Sequence, residues 1–451
     1  MKTVNIIERI EGEAKLNLFW KNEVVSEAYI EFLNFRGFEY MLEGKAPMDA
    51  LVYTPRMCGI CGQAHLLATV NALEDIYKNA NIPLQITPKA KALRELGLII
   101  EIIQSHIKWF YFFIMPDINK NSLNPHSQFN PLVGAQWLKA QKATSEIIKA
   151  LAIYAGQWPH TSYMIPGGVV SDPTLMDMTF IENYIDQTIA FFEEEMVGTE
   201  LNTYLSFNSV NDFGNISKDV DLFLKMAKEQ RLESIGKSYN KFIVISDALG
   251  FTQGKIKLKN VSKIDLLKIE EFTDFTFDIK SEKQKKEKYS WSKSVQYEND
   301  FYETGPLSRA LVSNNKFIRS VYKEYEDSVL TRVLSRIDEI AVLLNQAKEI
   351  LHTIDISQPS FIQPLMDLKE FELGFGRGSV EATRGSLKHE INIENGLIKK
   401  YDVITPTVWN LGPGNGTSPG VAQKAIIGSK SLQEAIVILR SFDVCSVCTT
   451  H

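Results

Sequence analysis

The chain has 451 residues, 44% of them apolar and 23% charged, with a net charge of −6 at pH 7. A chain of this size buries a large core without a metal staple, its acidic balance excludes a nucleic-acid-binding role, and it has no run of about eighteen apolar residues to span a membrane. No signal peptide is visible, so a cytoplasmic place is expected, with any membrane association made through partners.

Taken in chain order, residues 1–34 read as an N-terminal β meander. The alternation of Glu8, Ile10, Gly12, Ala14, Leu16 and Leu18 gives a half-exposed strand, on which Glu13 faces solvent. Long amphipathic helical patterns follow at 64–79, 88–115, 131–155, 175–206, 318–353 and 418–440. Residues 240–300 alternate and carry a lysine-rich run from Lys280 to Lys288, which reads as a solvated β-rich excursion. Residues 386–405 read as a β-hairpin turning at Glu394-Asn-Gly396. With no repeat and no low-complexity linker, 1–451 is expected to be one compact domain. Its class is expected to be α+β and mainly helical, a central bundle of long helices with small peripheral sheets.

All four cysteines fall into two Cys-x-x-Cys pairs, Cys58/Cys61 and Cys445/Cys448, near opposite ends of the chain. Two residues between cysteines let one turn of backbone offer both sulfurs to one metal, so the pairs make a four-thiolate site if the fold joins them. A structural zinc ribbon is the plain alternative, but its pairs are normally separated by tens of residues, not by almost the whole sequence. Disulfides are the other alternative. The spacing leaves structural zinc and a catalytic metal both open. It leaves no further cysteines for an iron–sulfur cluster, which needs about four.

The neighbouring motifs are Arg9-Ile-Glu-Gly-Glu-Ala, Arg36-Gly-Phe-Glu39, Cys61-Gly-Gln-Ala-His65, Gly305-Pro-Leu-Ser-Arg309 and Glu381-Ala-Thr-Arg384-Gly. In this order, from about residue 5 to residue 451, the set resembles the large subunit of a nickel–iron hydrogenase, with a lean to the cytoplasmic uptake or hydrogen-sensing branches. The resemblance implies a hydrogenase-like fold and a nickel–iron centre with cyanide and carbon monoxide on iron. It places Cys58 and Cys445 as terminal nickel ligands, with Cys61 and Cys448 bridging. It implies Cys445 as the base for the proton of dihydrogen, and Arg384 suspended over the open metal position with Asp443 and Asp117 around it. Asp117 is carried over from the helix His106-Ile-Lys-Trp-Phe-Tyr-Phe-Phe-Ile-Met-Pro-Asp117.

Glu11 is implied as the proton exit, because a carboxylate beside a terminal cysteine is suited to relaying protons. A magnesium-type ion is implied between Glu39, the terminal His451 and a backbone carbonyl near Val403. His65 is implied as a support of the cluster, and Thr407 as a hydroxyl that hydrogen-bonds a cyanide. The end at His451 resembles either the product of a maturation endopeptidase or a gene that stops there. A small subunit carrying iron–sulfur clusters is the implied electron partner, in a heterodimer and higher assemblies. Hydrogen uptake is the expected activity, with a slow hydrogen sensor or a hydrogen-evolving or cofactor-reducing enzyme as alternatives. Three positions depart from common relatives: Thr383 and Val444 where proline is usual, and Glu13 where histidine is frequent.

Overall fold

The computed structural model describes residues 2–4, 10–214, 218–257, 260–279, 285 and 287–448. The chain opens with strands β1 (Lys2–Val4), β2 (Ala14–Lys21) and β3 (Val24–Phe32), an antiparallel sheet of order β1-β2-β3. On β2 the alternate residues Ala14, Leu16 and Leu18 are fully buried, as a one-sided strand requires.

Helix α1 (Gly62–Asn79) begins directly after Cys61. Helix α2 (Pro88–Lys108) is capped by Thr87, whose Oγ1 accepts the Ala90 N–H at 3.1 Å, and has proline at its first position. It runs on through a π turn (Trp109–Ile114) into a last segment, Met115–Lys120, so it reaches further than the expected 115. By length and composition this element is apolar enough to cross a membrane, but 83% of its apolar window is buried in the fold, which makes it a core helix. Helices α3 (Ala135–Ala155) and α4 (Leu175–Phe191) complete this side of the central bundle.

The middle of the chain is β-rich, with β4 (Phe242–Val244), β5 (Gly254–Lys257) and β6 (Asn260–Ser262) in one sheet. Strands β7 (Ile269–Phe272) and β8 (Ser294–Tyr297) form another. Most of the lysine-rich run lies outside the described residues. Helix α5 (Pro306–Val312) leads to α6 (Val329–Thr353), which packs on α2 in the bundle.

Three expected helices are broken by local chemistry. The 318–353 pattern stops where Glu326 turns to positive φ (53°), and Ser328 caps α6 afresh. The 418–440 pattern splits into Val421–Ile426 and a later helix, with Gly428 at φ 97° between them. Near 200 the expected long helix ends at Gly198, which is left-handed.

The last sheet is three-stranded and antiparallel: β9 (Leu373–Ala382), β10 (Gly385–Glu394) and β11 (Leu397–Ile404). Strands β10 and β11 turn over Asn395 and Gly396, both at positive φ. Strand β9, like helix α5, is not among the expected elements; its alternate glycines, Gly374, Gly376 and Gly378, give no strand pattern. Those glycines face α1. A Cβ on Gly376 would stand 1.9 Å from the Ala72 carbonyl oxygen, and one on Gly378 2.0 Å from that of Ala68. Bare backbone on one face of β9 is what lets α1 lie directly on the sheet. Helices α7 (Pro406–Leu411) and α8 (Leu432–Ser441) close the fold. The architecture is mainly helical α+β, as expected.

Candidate metal centre

The four cysteines come together although they sit on unrelated elements. Cys58 and Cys61 occupy the turn before α1, and Cys445 and Cys448 follow α8 in a single tight turn, Ser446–Cys448. A short parallel bridge pairs Glu11 with Cys445: the Glu11 N–H donates to Val444 O at 3.2 Å, and the Ser446 N–H to Glu11 O at 2.8 Å. Thr405, at the head of α7, donates to the Cys448 carbonyl at 2.7 Å. All four sulfurs lie within 4.8 Å of one another and all are buried. Across the pairs, Cys58 is 3.7 Å from Cys445, and Cys61 is 3.6 Å from Cys448.

Burial opposes ionisation of Cys445, but its hydrogen bond with Cys448 and the charge of Arg384 outweigh it and lower the thiol below its ordinary value. The same hydrogen bond raises Cys448. Four soft, buried sulfur donors with no oxygen donor among them suit a soft transition metal.

Arg384 projects from the turn between β9 and β10, where Gly385 takes φ 128°. Its Nε donates to the Asp443 carbonyl and its Nη2 to Asp443 Oδ1, both at 2.9 Å. Burial works against its charge, but Asp443, Cys445, Cys448 and Glu11 raise its pKa above the ordinary arginine value. Arg384 and Thr407 line a small enclosed cavity with Cys61, His65 and Cys448. Among the described residues, Arg384 Nη1, Thr407 Oγ1 and Thr383 Oγ1 are buried without a hydrogen-bond partner. Orphaned buried donors are rare and costly. A metal centre that itself carries hydrogen-bond acceptors on this side fits them.

Asp117 ion-pairs with Arg440 Nη1, which also donates to the Phe113 carbonyl at 3.0 Å. It ties the end of helix α2 to α8, the helix that leads into Asp443, and the carboxylate that grips Arg384 is Asp443.

Glu11 is half-buried beside this centre, and Glu13 is exposed. His65 stands one turn into α1, its Nδ1 3.1 Å from His389 Nε2, and His389 Nδ1 lies 2.8 Å from the Tyr401 hydroxyl. Glu39 accepts the Val403 N–H at 2.8 Å and sits 3.2 Å from Lys293 Nζ. That bond ties the backbone of Val403 to Glu39, the two residues expected to border the cation. Burial opposes the charge of Lys293, but Glu271 and Glu39 outweigh it and raise its pKa above the usual lysine value. His451 lies outside the described residues.

Two contributors are given no role by the sequence, Arg36 within its motif and Glu101 outside any. Arg36 donates to the carbonyls of Arg56 (2.9 Å) and Met57, bracing the chain just before Cys58. Glu101, fully buried on α2, accepts the N–H groups of Gln63 (2.7 Å) and Ala64 (3.1 Å), the first turn after Cys61. Burial pushes its carboxyl up to about 8, against the lowering by those N–H groups. For Glu101 a charged residue amid the apolar run of α2 was the available signal.

Comparison with known proteins follows the same lines. The family model described as nickel-dependent hydrogenase matches residues 36–118 and 118–451. An F420-non-reducing hydrogenase chain of Methanothermobacter marburgensis is 26% identical over 100% of this chain and 94% of its own length. The periplasmic [NiFeSe] hydrogenase large subunit of Desulfomicrobium baculatum is 23% identical, with the same shares covered. Among solved structures, the Ni-Fe-Se hydrogenase of D. vulgaris Hildenborough in the reduced state superposes with a TM-score of 0.85 at 22% identity, covering 100% of this chain and 99% of that one. The expected cytoplasmic place does not stand: a relative aligned along the whole chain is periplasmic by name. The lean to cytoplasmic branches falls with it.

Proposed function

The chain belongs to the nickel-dependent hydrogenase family as a catalytic large subunit, and from that premise we propose how its residues divide the work of splitting dihydrogen. Cys58, Cys61, Cys445 and Cys448 would hold a nickel–iron centre, Cys58 and Cys445 on nickel alone, Cys61 and Cys448 shared with an iron that carries cyanide and carbon monoxide. When bound, that centre supplies the acceptor for the electron pair of dihydrogen.

The chain's own groups handle the proton. The Cys445 sulfur, held toward its ionised form by the hydrogen bond with Cys448 and then by the charge of Arg384, takes the proton. Glu11, whose backbone is paired to Cys445, carries it outward as a general acid–base. Arg384 keeps its own proton under all ordinary conditions and acts by charge, fixed by Asp443. The unsatisfied Arg384 Nη1 and Thr407 Oγ1 would donate to the cyanides, and His65, steadied by His389, supports the bridging side. Glu39, Val403 and His451 would border a magnesium-type ion.

Electrons leave through another chain, an iron–sulfur small subunit, because all four cysteines are already engaged. A maturation endopeptidase acting near His451 is consistent with this reading. The observation that carries it is the meeting of four buried sulfurs beside buried donors that lack acceptors. Metal analysis with infrared spectroscopy on protein purified with its partner tests it. Nickel and iron with cyanide and carbonyl stretches are expected, and lost in Cys448→Ser; zinc without those bands would overturn the assignment.

A further inference from the structure

The segment Gly305-Pro-Leu-Ser-Arg309 has no role in the centre as described, yet it touches the turn that carries Arg384 from below. Arg309 is fully buried at the start of α5. Its Nε donates to Glu339 Oε1 at 2.7 Å and its Nη2 to Glu339 Oε2 at 2.6 Å. The second Nη2 proton goes to the Thr383 carbonyl at 3.2 Å. Nη1 donates to the Ala382 carbonyl at 2.9 Å and to Glu381 Oε2 at 3.3 Å. All five guanidinium protons are therefore placed, two of them on the backbone immediately before Arg384. Glu339, on α6, is itself met by His106 Nε2 at 2.7 Å.

Gly305 adds a contact of another kind. A Cβ there would stand 2.9 Å from the Arg384 carbonyl oxygen, and one on Gly385 would stand 2.6 Å from the Gly305 nitrogen. Next to it, Thr304 accepts the Ser386 N–H at 2.9 Å, and its own N–H and carbonyl are closed by Asn410 at 3.0 and 2.9 Å. Asn410 shares α7 with Thr407. One frame thus reaches both residues whose donors are orphaned at the cavity.

We infer that Arg309 is a positioning residue for hydrogen splitting: by gripping the carbonyls of Ala382 and Thr383 it sets the turn that holds Arg384 over the cysteine cluster. A lysine at 309 keeps the charge but has three protons on one nitrogen and cannot span Glu339 and two carbonyls together. The inference rests on the role proposed for Arg384 and has separate consequences.

The experiment is a double-mutant cycle of Arg309→Lys and Arg384→Lys on the large chain with its partner, reading nickel and iron content, infrared bands and H2/D⁺ exchange. Amide deuterium uptake over residues 382–386 is read on the same proteins. R309K is expected to keep its metals, displace the bands, speed deuterium uptake in that turn and lower exchange by about 10–100-fold. In the R384K background the further loss is expected to be less than about threefold, since the damage passes through the same group. Losses that multiply across the two variants, or unchanged deuterium uptake, would refute the role of Arg309. R384K exchanging at the parent rate would instead refute the role of Arg384. If R309K does not accumulate as folded protein, Glu339→Gln, which keeps the shape of the partner and removes its charge, is read in the same cycle against the same outcomes.

Discussion

Adding one methyl group to strand β9 should disable a centre that the methyl never touches. In Gly378→Ala the new Cβ would stand 2.0 Å from Ala68 O and 2.5 Å from Ala72 N, both backbone atoms of α1. Ordinary contact needs about 3.5 Å, so helix and strand must part by roughly 1 Å or more, because helix backbone cannot swing aside. Overpacking of this kind costs about 1–3 kcal/mol. Ala68 is only seven residues beyond Cys61, about 10 Å along a rigid helix, so the displacement reaches Cys61 almost undiminished. Arg384 stays behind on the sheet. A shift of that size between reacting groups lowers H2/D⁺ exchange about 100-fold. Gly376→Ala, with Ala72 O at 1.9 Å, should behave alike, whereas Gly374→Ala meets only a methyl of Ile76 at 3.0 Å and should be mild. The assay pairs thermal unfolding with exchange per bound nickel across the three variants. If all three behave alike, or G378A matches the parent, the close seat of α1 on β9 does not set the geometry of the centre.

Three further outcomes are expected. Glu11→Gln should retain both metals and slow H2/D⁺ exchange by about 10²–10⁴-fold; exchange at the parent rate would remove Glu11 from the proton route. Asp443→Asn keeps a residue type that tolerates the left-handed φ of 59° but strips the carboxylate from Arg384. It should cost about 3 kcal/mol, because a buried charge is left unpaired, and an unshifted thermal midpoint would contradict that. Asp338 is fully buried on α6, and burial holds its carboxyl up at about 7 against an ordinary 3.8. Its folded-state value is the higher one, so its contribution to stability is complete below pH 4 and is lost as pH rises through about 7. Asp338→Asn should therefore gain on the parent across that window, by on the order of 2–4 kcal/mol at pH 8. A difference between the two that is the same at pH 5 and pH 8 would show that Asp338 does not titrate there.

What the sequence disclosed depended on how far apart the interacting residues lie. The cysteine pairs and Arg36-Gly-Phe-Glu39 are chemistry at fixed short spacing, and they were readable. Arg309 was visible only as a motif, since its partners Glu339 and Glu381 stand 30 and 72 residues away. His389, 324 residues from His65, gave no signal at all. Asp117 was legible as the residue at the end of its helix, while its ion pair with Arg440, 323 residues away, gave no signal. Glycine misled twice in opposite senses. In β9 it marks close packing and hides a strand from the expected elements, and at Gly428 it ends a helix that periodicity carries through.

The two cysteine pairs stand 387 residues apart in the chain. On a ribosome adding roughly 5–20 residues per second, the first pair emerges on the order of 20–80 s before the second. Throughout that interval Cys58 and Cys61 are a half-site open to any soft cation in the cell. Burial comes only when the final segment docks beside Glu11. If the four sulfurs hold one centre as proposed, timing as well as geometry selects its metals, and loading is complete only after synthesis has passed Cys448.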